Sequence, residues 1–546
     1  MAKYSIGIDF GTLSGRAVLV DVADGSEVAT AVLEYKHGVM DDRLCVDDIS
    51  LPHDYALQHP ADYIDVIKNT IPEILKKSGV HNSDIIGIGI DFTACTVIPV
   101  YSDGMPLCFS EEFNNVPDAY VKLWKDHSSL PYAEKLTETA KAQGMDFIDR
   151  YGGAISSEWL IPKIMLIADR SHDVYDKAAY FIDAADWIVW QLCGEQIRSS
   201  CTCGYKALWH YKYGYPPTEF FEKLDPRFKD LISQKLNAPI LPIGTKAGRL
   251  TKYWADILGL NEETAIAVGN IDGHATVPAV KVTEPGQMLM ILGTSACFMT
   301  LDERELDVRE IAGCVKDGMI PGFYGYEAGQ ACMGDHFSWF VKNMMPYEYK
   351  LEAQKQGKSV IQYIFDKAAE LKAGENGLIA LDWWNGNRAL PCQKGLSGTI
   401  IGMDLSTKPE HIFRALVEAT AYGARKIIDN FRKYGLNINT IHAAGGIAEK
   451  NPFVMQLYAD ILNMDIKISG SAQAAALGAA IFGAVAGGVY SSVTQASEKI
   501  GKLKDIVYSP DPENKKAYDL LYAEFCRLYD YFGRENNLME NIKLYK

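Results

Sequence analysis

Two short segments with the same pattern lie in opposite halves of the 546-residue chain. The first places Asp9-Phe10-Gly11-Thr12-Leu13-Ser14 between apolar runs at 4–8 and 17–20. The second places Gly293-Thr294-Ser295 between two similar runs. An apolar run, a Gly-Thr turn and a second apolar run predict a β-hairpin. One such hairpin alone would be an ordinary turn of an antiparallel sheet, so the repetition carries the argument. It predicts two related halves that grip one ligand.

Both turns have the chemistry of a phosphate-binding loop. Glycine lets the backbone approach phosphate oxygens closely, and successive turn N–H groups form a concavity that binds anions. The hydroxyl groups of the threonines and the serine add donors. Asp9, at the end of a predicted strand, could hold hydrated Mg²⁺ beside the phosphates. The candidate phosphate-binding residues are Gly11, Thr12, Ser14, Gly293 and Thr294.

A third element extends this prediction to the rest of a nucleotide. The segment 441–451 reads as a short strand, a Gly445-Gly446 turn, and a helix that begins near Pro452, where the missing proline N–H does no harm. The two glycines leave room for a base or ribose, and Gly445, Gly446 and Asn451 are the candidate nucleotide-binding residues of this segment. A Gly-Gly pair alone is only a turn signal. Together, the three elements resemble the superfamily of sugar kinases, actin and heat-shock ATPases, which implies an α/β fold of two ribonuclease-H-like domains around a cleft that binds ATP.

The composition narrows the choice of partners. A net charge of −16 without a long basic run argues against nucleic-acid and anionic-membrane partners. The uncharged stretch Ala472–Tyr490 approaches the length of about 20 residues needed to span a membrane, but its Ala and Gly content predicts a tightly packed helix. Eleven scattered cysteines and a first strand close to Met1, with no signal peptide, indicate a cytoplasmic location.

The domain boundary is expected where the chain passes from the first half to the second. We place an N-terminal domain for sugar and phosphate at 1–266, and a C-terminal domain for nucleotide and the catalytic Asp at 267–546. The pentapeptide Ile-Gly-Ile-Asp-Phe occurs at 6–10 and at 88–92, which is typical of buried parallel strands. Residues 181–192 are predicted to be helical.

Phosphoryl transfer to an alcohol needs a base for the attacking hydroxyl, and Asp272 is the best candidate. It lies between two glycines at the predicted domain crossing, hence at the floor of the cleft. A lone Asp in such a turn is more often a cap or an Asx-turn. Its position just before the second hairpin favours the catalytic role. His274, two residues further on, is a rival base.

A further pattern makes the resemblance more specific. Gly398-Thr399-Ile400-Ile401-Gly402-Met403, followed by His411-Ile412, Ala415, Val417 and Glu418, resembles the second signature of the FGGY carbohydrate kinases. Leu416 is bulkier than the usual residue of that signature. The first phosphate loop also departs from the family pattern, because Leu13 and Gly15 occupy positions where the family commonly has hydroxyl residues. This leaves Thr12, Ser14 and Arg16 for the phosphate contacts.

Four segments are similar to the ribulokinase subgroup of that family. They are 150–159, 203–210, 321–330 and 381–388. The resemblance implies transfer of phosphate from ATP, with Mg²⁺, to L-ribulose, and a homodimer. It also implies that the ketose contacts Ala94, Lys206, Asp272 and Glu327. A kinase for another pentulose or pentitol is the alternative within the class. An actin-like ATPase without a sugar substrate is the alternative outside it.

Overall fold

The computed structural model of the protein describes residues 2–387 and 395–543. Arg388, the last residue of the fourth ribulokinase-like segment, lies outside these ranges. Each half of the chain is built on one seven-stranded sheet. Helices cover the faces of both sheets, and the large hydrophobic clusters lie between helices and sheets. One of these clusters lies wholly in each half, which agrees with the predicted two-domain organisation, and a further cluster joins the two halves.

In the first sheet, the first strand of a tight hairpin also pairs with a parallel strand on its other side. Tyr4–Phe10 pairs antiparallel with Ser14–Asp21 and parallel with Ile85–Phe92. In order across the sheet, the strands are Lys246–Arg249, Ala265–Ala267, Ile85–Phe92, Tyr4–Phe10, Ser14–Asp21 and Glu27–Glu34, and Asn270–Ile271 also pairs with Ile85–Phe92.

The second sheet repeats this plan. Gly286–Leu292 pairs antiparallel with Ala296–Asp302 and parallel with Ile438–Ala444. In order across the sheet, the strands are Gly313–Lys316, Tyr324–Gln330, Ala296–Asp302, Gly286–Leu292, Ile438–Ala444, Ile466–Ser469 and Leu503–Tyr508. In both halves, the first strand of a central hairpin also pairs with a parallel strand. This is the ribonuclease-H-like arrangement that the two Gly-Thr hairpins predicted.

The helices and the smaller sheets complete the two halves. The α-helices of the first half are Pro60–Ser78, Leu130–Ala142, Leu160–Arg170, His172–Lys177, Ala184–Cys193, Ser200–Lys206, Thr218–Leu224, Leu231–Lys235, Lys252–Leu258 and Asp272–Ala279. Those of the second are Gly334–Asn343, Tyr347–Lys355, Val360–Ala369, Pro409–Lys433, Gly446–Lys450, Pro452–Leu462, Ala474–Ala486, Val493–Ile500, Pro512–Asp530 and Leu538–Lys543. The smaller sheets pair Leu57–Gln58, Val97–Val100, Val121–Lys122 and Tyr180–Asp183, then Arg198–Ser199 with Ile240–Leu241, and Ile379–Leu381 with Thr399–Ile401.

The chain leaves the first sheet through the helix Asp272–Ala279. The strands Ala265–Ala267 and Asn270–Ile271 still belong to the first sheet, and Gly286 begins the second. A boundary at 266/267 for the two functional domains stays a prediction. The helix places its first residue, Asp272, at the crossing between the two sheets.

The apolar stretch at 472–490 forms the helix Ala474–Ala486, which packs on the first sheet although it belongs to the second half of the chain. Glycines make this contact very close. A Cβ added to Gly89 would lie 1.8 Å from the backbone oxygen of Ala479, and one added to Gly478 would lie 1.7 Å from that of Ala275. Among the described residues, no helix has the length and apolar character to span a bilayer. The tight packing therefore agrees with a packed helix at the junction of the halves.

Substituting Gly89 should test this close packing. Gly89→Ala forces the helix away from the sheet, and overpacking of this kind costs about 1–3 kcal/mol. Since about 1 kcal/mol shifts the melting temperature of a domain of this size by about 2–4 °C, we expect thermal unfolding several degrees below that of the wild type. The control is Gly446→Ala, because no atom lies within 4 Å of the added Cβ. Equal melting temperatures for the two variants would contradict the packing.

Candidate active site

Three aspartates gather at the carboxyl ends of three neighbouring strands in the first sheet. Asp9 and Asp91 are in register on adjacent parallel strands, and Asn270 is in register with Asp91 on the next strand. Asp272 follows that strand directly and begins the helix Asp272–Ala279. Ligands of open α/β sheets bind at the carboxyl ends of the strands. This edge is therefore the expected floor of a binding site.

Asp272 has the electrostatic environment of a base that works near neutral pH. One of its carboxylate oxygens, Oδ1, accepts the N–H of Gly273 at 2.6 Å, which fixes the side chain. Burial and the negative charge of Asp9 raise the pKa of Asp272 to about 7. A general base is most effective when its pKa lies near the working pH. The predicted base thus stands at the edge that the strands define.

Asp9 has one cationic partner and one acidic neighbour. Arg16 lies opposite Asp9 in the hairpin register, with Nε 3.3 Å from Oδ2 of Asp9. Burial raises the pKa of Asp9, and Arg16 opposes this shift. Asp91 is fully buried, and its carboxyl group faces that of Asp9. Burial and the Asp9 charge raise the pKa of Asp91 well above its usual value, which favours its protonated form.

Asp91 was not among the site residues predicted from the sequence. The repeated pentapeptide Ile-Gly-Ile-Asp-Phe contains this residue, but the repeat by itself predicts only two similar buried strands. The repeat is indeed made of two adjacent parallel strands, and it also places the two acids side by side. A repeated acid at the end of a buried strand could therefore have been read as a site residue.

Both Gly-Thr turns are closed by a backbone hydrogen bond from their glycine, although the first turn is one residue longer than the second. In the first, the N–H of Gly11 donates to the backbone oxygen of Ser14 at 3.0 Å, and in the second the N–H of Gly293 donates to that of Ser295 at 3.0 Å. The Thr12 hydroxyl accepts the indole N–H of Trp124 at 3.2 Å. These contacts hold both turns in the hairpin form that the sequence predicted.

The Gly-Gly loop lies beside the second hairpin, because Gly286–Leu292 and Ile438–Ala444 are parallel neighbours. Gly445 has a φ of 95°, and a Cβ there would lie 2.5 Å from the backbone oxygen of Leu292. Only glycine combines this φ with so close an approach. The Asn451 side chain accepts the N–H of Val454 at 3.1 Å and caps the helix Pro452–Leu462. Contacts of Gly445, Gly446 and Asn451 with adenosine stay predictions.

A cavity of about 450 Å³ opens above the aspartates between the two halves. It brings together five residues predicted from the sequence, which are Thr12, Ala94, Lys206, Asp272 and Glu327. It also includes residues that the sequence reasoning missed, among them Thr93, Glu158, Trp159 and Ser295. The remaining predicted nucleotide residues do not line it. Thr12 and Ser295 bring the two Gly-Thr turns to its wall, whereas Gly445 and Gly446 do not line it.

Lys206 and Glu327 form a buried ion pair on the wall of this cavity. Lys206 comes from the helix Ser200–Lys206 and Glu327 from the strand Tyr324–Gln330, with Nζ 3.1 Å from Oε2. Burial alone would raise the pKa of Glu327, but Lys206 and His274 hold it well below its usual range. Burial opposes the charge on Lys206, and Glu327 raises the pKa of Lys206 above its usual value. Both groups are therefore charged, and they offer donors and acceptors to a hydroxylated ligand.

His274 is engaged through both ring nitrogens, which weakens its case as the rival base. Nδ1 lies 3.0 Å from Sγ of Cys201, and Nε2 lies 3.3 Å from Oε2 of Glu327. Burial lowers the pKa of His274. The Glu327 carboxylate thus occupies the approach to Nε2, although His274 lines the cavity together with Asp272.

Ala94 is presented to the cavity by a constrained turn. The next residue, Cys95, has a φ of 59°, which is unusual for a residue with a side chain. The buried ammonium group of Lys163 donates to the backbone oxygen of Cys95 at 2.6 Å and holds this conformation. The small Ala94 side chain leaves space at this point of the wall.

Comparison with known proteins identifies the family. The model described as the FGGY family of carbohydrate kinases, N-terminal domain, matches residues 4–278, and the corresponding C-terminal domain matches 288–487. The chain belongs to the FGGY family of carbohydrate kinases. The FGGY resemblance predicted from the sequence is confirmed. The N-terminal match contains every strand of the first seven-stranded sheet, and the C-terminal match contains most of the second.

Individual relatives of this FGGY kinase match nearly its whole length. A ribulokinase of Bacillus licheniformis is 54% identical over 538 residues, covering 98% of each chain. A ribulokinase of Geobacillus thermodenitrificans is 49% identical and covers 100% of this chain and 97% of the relative. The fold also resembles a crystal structure of ligand-bound xylulose kinase from Lactobacillus acidophilus, with a TM-score of 0.79 at 20% identity, covering 97% of this chain and 99% of that chain.

Proposed function

We propose that this FGGY kinase transfers the γ-phosphoryl group of ATP to L-ribulose, giving L-ribulose 5-phosphate and ADP. The observation that carries the proposal is the cavity in which Asp272 faces the charged pair Lys206–Glu327. Such a wall fits a neutral, densely hydroxylated ketose. The choice of L-ribulose rests on the relatives, which are named ribulokinase and match nearly the whole chain.

The reaction needs one proton acceptor on the enzyme. Asp272 takes the proton of the terminal sugar hydroxyl while that oxygen attacks the γ-phosphorus in line with the leaving oxygen of ADP. Its side chain is already oriented by the N–H of Gly273. Lys206 and Glu327 hold the other hydroxyl groups, and Ala94 leaves space for the sugar. The sugar is thus fixed in the geometry of attack, which is a large part of catalysis.

The residues present fit a hydrated Mg²⁺ bound through nucleotide phosphates. Among residues 2–387 and 395–543, no cluster of three or more His, Cys, Asp or Glu side chains forms a protein cage for a metal. Mg²⁺ usually keeps several waters and binds through one or two carboxylates plus substrate phosphates. Asp9, close to Asp91 and Asp272, would supply this carboxylate. When bound, the metal would neutralise phosphate charge, and Arg16, Thr12 and Thr294 would add donors to the phosphoryl oxygens.

Both halves of the chain contribute to the site, so closure of the cleft completes it. Ala94 and Lys206 come from the first half, Glu327 comes from the second, and Asp272 lies at the crossing. Closure excludes water, which would otherwise compete with the sugar as phosphoryl acceptor. We further propose a cytoplasmic location and a homodimer. The described cysteines are free thiols, which supports a reducing compartment.

A panel of sugars in an ADP-coupled assay tests the substrate. We expect L-ribulose to give the highest kcat/KM, above D-ribulose, D-xylulose and ribitol, with little ADP formed when no sugar is present. If another pentulose or pentitol gave the highest kcat/KM, the assignment of L-ribulose as substrate would be wrong, whereas the assignment as a sugar kinase would stand. Rapid ATP hydrolysis that no sugar stimulates would instead indicate an actin-like ATPase.

The pKa of Asp272 predicts a pH dependence. Only the ionised carboxylate accepts a proton, so kcat/KM for the sugar should rise with pH as Asp272 ionises. In the protein without ligands, this pKa is about 7 because of burial and the Asp9 charge. Mg²⁺ at Asp9 offsets that charge, so the midpoint at saturating Mg-ATP should lie at or below about 7. Rate profiles of the wild type and of Asp272→Asn test this, since the variant should lack this rise. A wild-type profile that stays flat down to pH values well below neutral would contradict the assignment.

A further inference from the structure

We propose that His274 is a positioning residue that holds the Glu327 carboxylate in its sugar-binding orientation, and that Cys201 fixes the imidazole ring from its other side. The inference deepens the proposed function, because it concerns the sugar end of the same cleft. His274 is fully buried in the first turn of the helix Asp272–Ala279, and it connects three elements that each carry a site residue.

The first step is the proton on the ring. Burial lowers the pKa of His274, so the ring is neutral and carries one N–H. Glu327 is ionised, and its Oε2 lies 3.3 Å from Nε2. A carboxylate accepts hydrogen bonds and donates none. The N–H must therefore be on Nε2, which lies in ion-pair range of Oε2 but outside hydrogen-bond geometry, and Nδ1 is the bare nitrogen.

The second step is the partner of the bare nitrogen. Sγ of Cys201 lies 3.0 Å from Nδ1, and Cys201 is fully buried. Burial raises the pKa of Cys201 well above its usual value, so the group is a thiol with a proton to donate. The S–H of Cys201 donates to Nδ1, and the Nε2–H of His274 is directed at Glu327. The opposite tautomer would turn a lone pair toward the carboxylate.

The third step is what the arrangement holds in place. Lys206 and His274 both contact the same carboxylate oxygen of Glu327, Oε2. The other oxygen, Oε1, is left for a ligand hydroxyl. Tyr205 packs against the imidazole with ring centroids 4.3 Å apart, and its hydroxyl donates to the backbone oxygen of Gly325 at 2.7 Å. The ring is thus confined on its face as well as at both nitrogens. His274 ties the helix that bears Asp272 to the strand that bears Glu327.

The matched variants are His274→Gln and His274→Leu. The amide nitrogen of Gln can occupy the place of Nε2 and donate to Glu327, whereas Leu fills the space without a donor. Because a polar contact with a charged group is at stake, we expect the KM for L-ribulose to rise about tenfold to a hundredfold in His274→Leu. ATP affinity by calorimetry should stay unchanged, kcat should fall much less than KM rises, and His274→Gln should recover most of the loss.

Two outcomes would overturn the role of His274. One is a His274→Gln variant that is as impaired as His274→Leu. The other is a His274→Leu variant with a normal sugar KM. If His274→Leu does not fold, the decision rests on ¹⁵N NMR of histidine-labelled wild-type protein, with the His274 signals assigned by their loss in His274→Gln. We expect a neutral ring protonated at Nε2. A charged ring, or a proton on Nδ1, would refute the proposal without reference to any substrate.

A second pair of variants tests Cys201, which does not line the cavity. Cys201→Ala removes the donor to Nδ1 and frees the ring, so the sugar KM should rise, though less than in His274→Leu. Cys201→Ser keeps a donor and should restore a KM close to that of the wild type. A normal KM in Cys201→Ala would show that Cys201 does not fix the ring. Failure of the proposed function itself would look different, because the wild type would then not phosphorylate L-ribulose while the NMR result could still hold.

Discussion

Replacing Asp272 with asparagine should lower the rate of sugar phosphorylation by about 10²–10⁴-fold, which is the typical contribution of a general base. The amide keeps the size of the side chain but cannot accept the proton of the attacking hydroxyl. ATP binding should persist, because the Gly-Thr turns and Asp9 are unchanged. Ketose binding should weaken only modestly, since the amide can still hydrogen-bond a hydroxyl group. Single-turnover phosphorylation and nucleotide binding, measured on one preparation, test this.

The matched control for this variant is Asp256→Asn. Asp256 lies on the surface, where it pairs with Lys252 at 3.3 Å, and the same chemical change there should leave phosphorylation unaffected. A folded, ATP-binding Asp272→Asn enzyme with near-normal phosphorylation would contradict the assignment of the base. The raised pKa of Asp272 would then reflect only its burial and the nearby Asp9 charge, and would not indicate a catalytic role.

Replacing Lys206 with methionine should impair both sugar use and stability. The variant removes a donor to the sugar and leaves the buried Glu327 carboxylate without its cation. A lost hydrogen bond to a charged group predicts a fall in kcat/KM for L-ribulose of about tenfold to a hundredfold. Breaking a buried ion pair by removing one partner costs about 3–5 kcal/mol of folding stability. Sugar kinetics and thermal unfolding measure the two effects.

The double variant Lys206→Met/Glu327→Gln separates these effects. It removes both charges, so its stability should recover relative to Lys206→Met, whereas sugar use should stay impaired. The control is Lys252→Met, which breaks an exposed pair of the kind that contributes about 0–1 kcal/mol. Normal sugar kinetics in Lys206→Met would remove this residue from the site. A double variant no more stable than Lys206→Met would show that the unpaired carboxylate is not the cause of instability.

The parts of the site made by contiguous residues could be predicted from the sequence. The two Gly-Thr turns and the Gly445-Gly446 loop depend on local backbone chemistry, namely glycine flexibility between apolar strands. The structure has the two hairpins where they were predicted, and at the third element an additional short helix, Gly446–Lys450, precedes the predicted helix Pro452–Leu462. The family followed from the same segments. Their spacing and their repetition in both halves also implied the paired-domain fold.

Local pattern failed where pairing with distant strands decides the conformation. Residues 181–192 were predicted to be helical, but Tyr180–Asp183 is a strand and the helix begins only at Ala184. The strand forms because it pairs with Val97–Val100, a partner far away in sequence. An apolar run of this length suits a strand or a buried helix equally well, and only the neighbour chooses between them.

The sequence by itself determined the fold class, the two Gly-Thr turns and the types of residue available for catalysis. Only the tertiary structure decided how these residues act on one another. Asp91 became a neighbour of Asp9 through the register of two parallel strands, and His274 met Glu327 and Cys201 through the packing of two helices against the second sheet. Such contacts depend on strand register and helix packing between distant segments. No local pattern encodes that geometry, so it could not be read from the chain alone.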